Sequence, residues 1–289
     1  MNSEIARSDV GGGVLYIVAT PIGNLEDITA RAERVLASVD FIAAEDTRHS
    51  GRLLQALAIR RPLVALHDHN ERERAASVLD RIVAGESAAL ISDAGTPLIS
   101  DPGYILVRQA RERGVRVVPV PGVSALTSAL SVAGLPTDRF TFIGFLPAKR
   151  SGRQAALDSL KHDVATLVFY ESPHRIVDMI EDVVAVFGEH REVAITRELT
   201  KTFESFYGGA AAGVLDQLQA DPNATKGEFV VMVQGAQPRS EEQPGVDVDK
   251  MLRLLCQELP VKKAARIGAE LTGVSRNDLY QRALALKDE

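Results

Sequence analysis

Between Val14 and Pro121, short apolar runs alternate with segments of helical spacing, and each run ends in a turn of Gly, Pro or polar residues. Val14–Ala19 leads into Thr20-Pro21-Ile22-Gly23-Asn24, and Phe41–Ala44 into Glu45–Ser50. Leu63–Leu66 leads into His67–Asn70, Ala88–Ile91 into Ser92–Gly103, and Val115–Val120 into Pro121-Gly122. Helical spacing fills Thr29–Ala37, Glu71–Val83 and Tyr104–Arg113, and Gly85 and Gly114 stop the last two. Short runs without polar alternation predict buried strands. Strands alternating with helices predict an α/β layer with a mainly parallel sheet. Ligands of such sheets bind beyond the carboxyl ends of the strands. Pro21, Asp46, His67, Gly95 and Gly122 are therefore expected around one crevice.

A second block runs from about Pro136 to Gly235, with strands expected at Phe140–Phe145, Thr166–Tyr170, Glu192–Thr196 and Phe229–Val233. A long helix is expected between Pro173 and Phe187. Gln237–Gly245 has linker composition. Beyond it, Val248–Leu259, Val261–Leu271 and Arg276–Lys287 read as three helices with helix-turn-helix spacing. Ser275 is the expected N-cap of the last, with Asp278 three residues on. The expected organisation is a flexible tail over 1–12, an α/β domain over 13–121 and a second α/β domain over 122–236. A linker over 237–246 and a helical tail over 247–289 follow.

Composition excludes several classes. The single Cys256 rules out an internal disulfide framework and a cysteine-based zinc site. With the polar N-terminal stretch and no apolar run of membrane length, this predicts a cytoplasmic protein without membrane contact. A net charge of −6 argues against holding nucleic acid by charge alone. No G-x-G-x-x-G follows a strand and no G-x-x-x-x-G-K-[ST] occurs, so dinucleotide and P-loop sites are disfavoured. His67 and His69 lack a third ligand at suitable spacing, and no metal is expected.

The informative turns are Thr20–Asn24 and Ser92–Gly103. Glycine admits a ligand close to the backbone, and proline sets the loop's shape. Three further segments accompany them, at Glu45-Asp46-Thr47-Arg48, Pro119–Ala125 and Tyr170-Glu171-Ser172-Pro173-His174-Arg175. In this order and spacing they resemble the ribosomal RNA small-subunit methyltransferase I family, of the tetrapyrrole methylase superfamily. The likeness extends from Val14 to about Leu286.

The resemblance implies a two-domain class III methyltransferase fold, with the methyl-donor cleft between the α/β domains and a small C-terminal helical domain. It implies S-adenosylmethionine as donor, a decoding-centre cytidine 2′-hydroxyl of 16S ribosomal RNA as acceptor, and a homodimer. The substrate is free RNA or the 30S subunit. Carried over residue by residue, donor contacts fall on Pro21, Ala94, Gly95, Thr96, Ile99, Ser124, Ala125, Tyr170, Glu171 and Leu199. Thr96 stands where tetrapyrrole methylases carry aspartate. Lys226–Phe229 resembles the family's last edge segment.

The reaction expected is an in-line displacement by the ribose oxygen. Positioning contributes about 7–11 kcal/mol in a near-attack geometry, and a general base about 10²–10⁴-fold. Asp46, His69, Glu171 and His174 are base candidates, and Lys201 or Lys226 suits developing charge; nothing in the residues ranks them. RNA phosphates suit Arg48, His49, Arg175, Arg197, Lys201, Lys149 and Arg150. The last two sit in Phe145–Arg153, which reads either as a basic loop over RNA or as an exposed connection. In the tail, Lys262, Lys263, Arg266, Arg276 and Arg282 outnumber Glu270 and Asp278, favouring nucleic acid over a plain packing surface. Two other readings stay open. One is a tetrapyrrole-like small-molecule methylase, which leaves the tail unexplained. The other is a non-enzymatic RNA-binding assembly factor, which predicts no donor binding.

Overall fold

The computed structural model describes residues 13–68, 70–237 and 248–286. The tail expected over 1–12, residues 238–246 of the expected linker, and His69 lie outside them. The chain divides into two compact units, Met1–Ala236 and Gln237–Glu289.

In chain order, the first unit opens with β1 (Val14–Val18), α1 (Ala30–Ser38), β2 (Phe41–Ala44), α2 (Thr47–Ala56) and β3 (Leu63–Ala65). Next come α3 (Glu71–Val83), β4 (Ala88–Ile91), α4 (Tyr104–Glu112), β5 (Arg116–Val120) and α5 (Ala125–Val132). It continues through β6 (Phe140–Phe145), α6 (Arg150–Ser159), β7 (Thr166–Glu171), α7 (Ile176–Phe187) and β8 (Glu192–Arg197). It closes with β9 (Ser205–Ala210), α8 (Ala211–Ala220) and β10 (Phe229–Val233).

The first sheet has the order β3-β2-β4-β1-β5, and each recorded pairing is parallel. Helices cover both faces. Leu15, Phe41, Leu79, Ile82, Leu90 and Leu106 pack on one side, and Val18, Leu36, Ile42 and Ile91 on the other. Each such side chain taken from water contributes about 1.5–3 kcal/mol. A buried sheet of this kind leaves binding residues to the loops at its carboxyl edge.

The second sheet has the order β6-β7-β10-β8-β9. Only β6 and β7 pair in parallel there; β10 is antiparallel to β7 and β8, and β8 to β9. Phe229–Val233 forms a strand as expected, but Phe229, the end of the segment likened to an edge, opens a strand third of five with its five residues buried. An uninterrupted Phe-Val-Val-Met-Val run has no polar face for solvent, which suits a central strand.

Two further segments depart from expectation. Glu45–Ser50, read only as a polar cluster, contains the start of α2, because Asp46 accepts from the backbone N–H of Arg48 and His49 and caps it. Phe145–Arg153, read as a loop, turns into α6. Arg153 on that helix is buried and donates through Nε to Asp182 of α7 at 2.6 Å, and Asp182 is itself fully buried.

The second unit holds α9 (Val248–Glu258), α10 (Val261–Thr272) and α11 (Arg276–Ala285). A β-carbon on Gly268 would meet Met251 at 2.9 Å and Leu279 at 3.2 Å, so the helices close around a position without a side chain. Gly273, with φ 69°, ends α10 in the left-handed cap. Ser275 occupies the N-cap of α11, but its side chain makes no capping bond. Among the described residues no helix is long and apolar enough to cross a membrane.

Candidate functional site

The loops after β1 and β4 are joined by a backbone bridge. Thr20 N–H donates to Gly95 O at 2.8 Å and Gly95 N–H to Thr20 O at 3.0 Å. Gly95 reaches this register with φ 77°, which favours glycine. The Thr96 hydroxyl donates to Val123 O at 2.9 Å and ties in the loop after β5. A carboxylate has no proton to give that carbonyl, which accounts for threonine here rather than aspartate. Further along, Leu98 and Ser100 adopt φ of 72° and 66°. Left-handed backbone at non-glycine residues is strain that surrounding structure must hold in place, and it concentrates at functional sites.

These loops wall one side of a cavity of about 390 Å³, within the roughly 300–1,000 Å³ usual for small-molecule clefts. The second sheet supplies the other side. Val230 of β10 pairs with Tyr170 of β7 and Thr196 of β8, so these three residues share one face of the sheet, and all line the cavity. Of the expected donor contacts, Ala94, Gly95, Thr96, Ile99, Ser124, Ala125, Tyr170, Glu171 and Leu199 line it. Pro21 does not, and its neighbour Ile22 takes that place. Burial raises the Tyr170 phenol above its ordinary value, against hydrogen bonds with the Leu126 backbone and Ser124, so it stays protonated.

Of the catalytic candidates, Glu171 and Lys201 line the cavity; Asp46, His174 and Lys226 do not. Hydrogen bonds from the Arg48 side chain and backbone hold Asp46 at about 2, so it is a weak proton acceptor. Lys226 Nζ donates to Asn223 at 3.1 Å. Lys201 Nζ donates to Glu198 at 2.9 Å and Glu228 at 2.8 Å. Burial opposes its charge, but the two carboxylates prevail and raise it above the ordinary lysine value.

Several proposed RNA contacts are already engaged within the protein. Arg175 donates to Leu146 O at 2.7 Å and lies 3.3 Å from Glu171 Oε2. Arg150 pairs with Asp182 at 3.0 Å, and Arg48 with Asp46 at 3.1 Å, although Arg48 remains 88% exposed. The buried Arg197 donates to Lys226 O and Asp221. His49, Lys149, Lys262, Lys263 and Arg276 are exposed.

Sequence reasoning missed two carboxyl groups near this site. Burial, with the charges of Asp101, Asp93 and Asp68, raises Glu45 to about 7. Asp101 lines the cavity, and burial, with Asp93 and Asp68 nearby, raises it to about 6 against a hydrogen bond from Ser92. The available signal was their place within two dense motifs, Glu45 directly after β2 and Asp101 in the Ser92–Gly103 segment.

The profile of the Tetrapyrrole (Corrin/Porphyrin) Methylases matches residues 14–214, and that of the RsmI C-terminal HTH domain matches 242–287. "Ribosomal RNA small subunit methyltransferase I" of Escherichia coli O157:H7 is 54% identical over 277 residues, covering 96% of both chains. The chain belongs to the ribosomal RNA small subunit methyltransferase I family. The protein of that name from Pseudomonas aeruginosa PAO1 is 54% identical over 95% of this chain and 98% of its own. Among solved structures, uroporphyrin-III-C-methyltransferase of Thermus thermophilus matches with TM-score 0.55 at 22% identity, over 77% of this chain and 94% of its own. CobJ matches with TM-score 0.59 at 18% identity, over 79% of this chain and 96% of its own. At those identities the likeness concerns the fold, which is that of the tetrapyrrole methylases with an added helical unit.

Family membership makes S-adenosylmethionine the methyl donor expected here. The cavity fits it on its own terms. Its wall is largely apolar, as a donor's adenine and methylene groups require. Thr196 Oγ1, buried on a lining residue, makes no hydrogen bond among the described residues, and Glu171 Oε2 has the Arg175 ion pair at 3.3 Å but no hydrogen bond there. Groups of that kind are normally satisfied, and a polar ligand would satisfy them.

Proposed function

We propose that the protein transfers a methyl group from S-adenosylmethionine to the ribose 2′-hydroxyl of a decoding-centre cytidine in 16S ribosomal RNA. The cavity's lining carries this reading: nine-tenths of the donor contacts carried over from the family's motifs converge there, from loops far apart in sequence. Near-full-length likeness to proteins named for small-subunit ribosomal RNA supports the RNA substrate.

When bound, S-adenosylmethionine supplies an electrophilic methyl on a positively charged sulfur. The chain's residues hold, orient and shield the reactants. Gly95 and Ala94 bring backbone against the donor, while Tyr170, Leu199 and Ile99 exclude water. Thr196 and Glu171 offer hydrogen-bonding atoms. Lys201 braces the rim through its two carboxylates. Such positioning is worth about 7–11 kcal/mol. The exposed Lys262, Lys263 and Arg276 contact RNA phosphates, and the protein acts in the cytoplasm as a homodimer.

Two experiments test the reading. Calorimetric titration with S-adenosylmethionine shows saturable binding to an enzyme and none to an assembly factor. Tritium transfer is then compared between 30S subunits, free 16S RNA and a porphyrinoid. Label in either RNA supports the proposal; label in the porphyrinoid alone assigns the cavity to a small metabolite and refutes it.

A further inference from the structure

The proposed reaction releases a proton from a weakly acidic hydroxyl, and the cavity wall holds few groups able to take it. Glu171 Oε1 accepts from the Ser172 backbone at 2.7 Å, and its second oxygen lies 3.3 Å from Arg175. Glu228 is bound to Lys201. Lys201 is a cation with no acceptor capacity. Asp101 differs. It lines the cavity, and its hydrogen-bonding neighbour is the Ser92 hydroxyl.

The charged groups facing Asp101 are carboxylates: Asp93 from its own loop and Asp68 from the loop after β3, with Glu45 at the end of β2 coupled to it in turn. The Tyr170 phenol on the second sheet also feels its charge. Surrounded in this way, Asp101 is left free to exchange a proton instead of being fixed in an ion pair.

The backbone that presents Asp101 is held firmly. Ser100 just before it is left-handed at φ 66°. Gly103 just after Pro102 has φ 128°, and a β-carbon there would fall 2.7 Å from Leu90 of β4. A loop clamped onto a core strand at this point keeps the carboxylate's position with little reorganisation, as proton transfer requires.

We propose that Asp101 is the general base of this enzyme, accepting the proton of the attacking ribose hydroxyl. The assignment rests on the function proposed above. In the step, the ribose O–H bond breaks and an O–CH3 bond forms. The methyl–sulfur bond breaks with its electron pair left on sulfur, and the proton passes to an Asp101 oxygen and then to solvent. Raised toward neutrality by burial and its acidic neighbours, Asp101 is a stronger acceptor than an ordinary aspartate while remaining ionised above pH about 6.

The test uses the full chain and the isosteric Asp101→Asn variant in single-turnover methyl transfer to ribosomal RNA. The variant is expected to lose about 10²–10⁴-fold in rate while still binding S-adenosylhomocysteine, whose sulfur is uncharged. The parent's rate is expected to fall as pH drops through about 6. The Asp101 carboxyl carbon, followed by NMR, titrates with the same midpoint, and Asp68→Asn moves both to lower pH. Transfer by Asp101→Asn within tenfold of the parent overturns the assignment. So does an Asp101 midpoint near the ordinary carboxylate value of about 3.9, or a variant that no longer binds S-adenosylhomocysteine. A parent chain that methylates no ribosomal RNA removes the functional reading together with this assignment; active Asp101→Asn removes the assignment alone.

Discussion

A β-carbon on Gly23 would lie 2.4 Å from Cγ of Lys201, so the lysine stem crosses the loop after β1 at a position where only glycine fits. The ammonium beyond it is anchored to Glu198 and Glu228. The first α/β layer and the second sheet thus meet at one rim of the cavity.

Replacing Gly23 with Ala therefore forces Lys201 to leave at least one carboxylate. Overpacking of this kind costs about 1–3 kcal/mol, and S-adenosylmethionine binding is expected to weaken by roughly tenfold in calorimetry, about 1.4 kcal/mol. The double variant Gly23→Ala/Lys201→Ala relieves the clash, so the two changes combine with less than additive effect. Strict additivity would show that the two residues act independently.

The Thr96–Val123 bond predicts a graded series. Thr96→Ser keeps the hydroxyl and leaves stability near that of the parent. Thr96→Val removes the donor and costs about 1 kcal/mol, a fall in Tm of about 2–4 °C. Thr96→Asp sets a carboxylate against the carbonyl and lowers Tm further. Equal melting of Thr96→Val and the parent would deny the bond a structural role.

Glu45 gives a stability prediction in pH. Its folded value near 7 stands above the ordinary 4.5, because burial and the charges of Asp101, Asp93 and Asp68 disfavour ionisation. Below the ordinary value both folded and unfolded chains carry the proton, so nothing is lost. As pH rises from about 4.5 to 7, the unfolded chain ionises first and folding weakens. Glu45→Gln is expected to raise Tm at pH 8, by about 2–4 °C for each kcal/mol removed, and to change nothing at pH 4. Thermal melts at the two pH values check this.

Asp182 carries the largest predicted loss. It is fully buried and accepts from Arg153 at 2.6 Å, Gln154 at 2.7 Å and Arg150 at 3.0 Å. Asp182→Ala strands the buried Arg153 guanidinium and is expected to cost about 3–5 kcal/mol in denaturant unfolding. Arg150, 63% exposed, leaves stability within about 1 kcal/mol when changed to Ala.

Much of the fold was legible because the first layer uses the strongest local signals. Apolar runs such as Phe41–Ala44 and Ala88–Ile91 became central strands, and Gly85 and Gly114 stopped their helices. What stayed hidden depends on contacts made only after folding. Arg150 and Arg153 read as a basic loop until Asp182, distant in sequence, drew them onto a helix pair. Lys226–Phe229 resembled a family edge segment, yet Phe229 opens an unbroken apolar run that needed partners on both sides. The cavity was visible in the turn motifs, since Thr20–Asn24 and Ser92–Gly103 were both expected to approach one ligand. Asp101 and Glu45 escaped notice because their character comes from burial beside other carboxylates, which a linear sequence does not reveal.

Methylation of a ribose in ribosomal RNA can be read chemically from the product. The most direct test incubates the protein with S-adenosylmethionine and 30S subunits, hydrolyses the 16S RNA with alkali, and identifies the products by mass spectrometry. A 2′-O-methyl group blocks alkaline cleavage at its own nucleotide. One alkali-resistant dinucleotide beginning with 2′-O-methylcytidine is expected, formed by the protein and lost in Asp101→Asn. Complete hydrolysis to mononucleotides, or a methyl group found on a base, would contradict it.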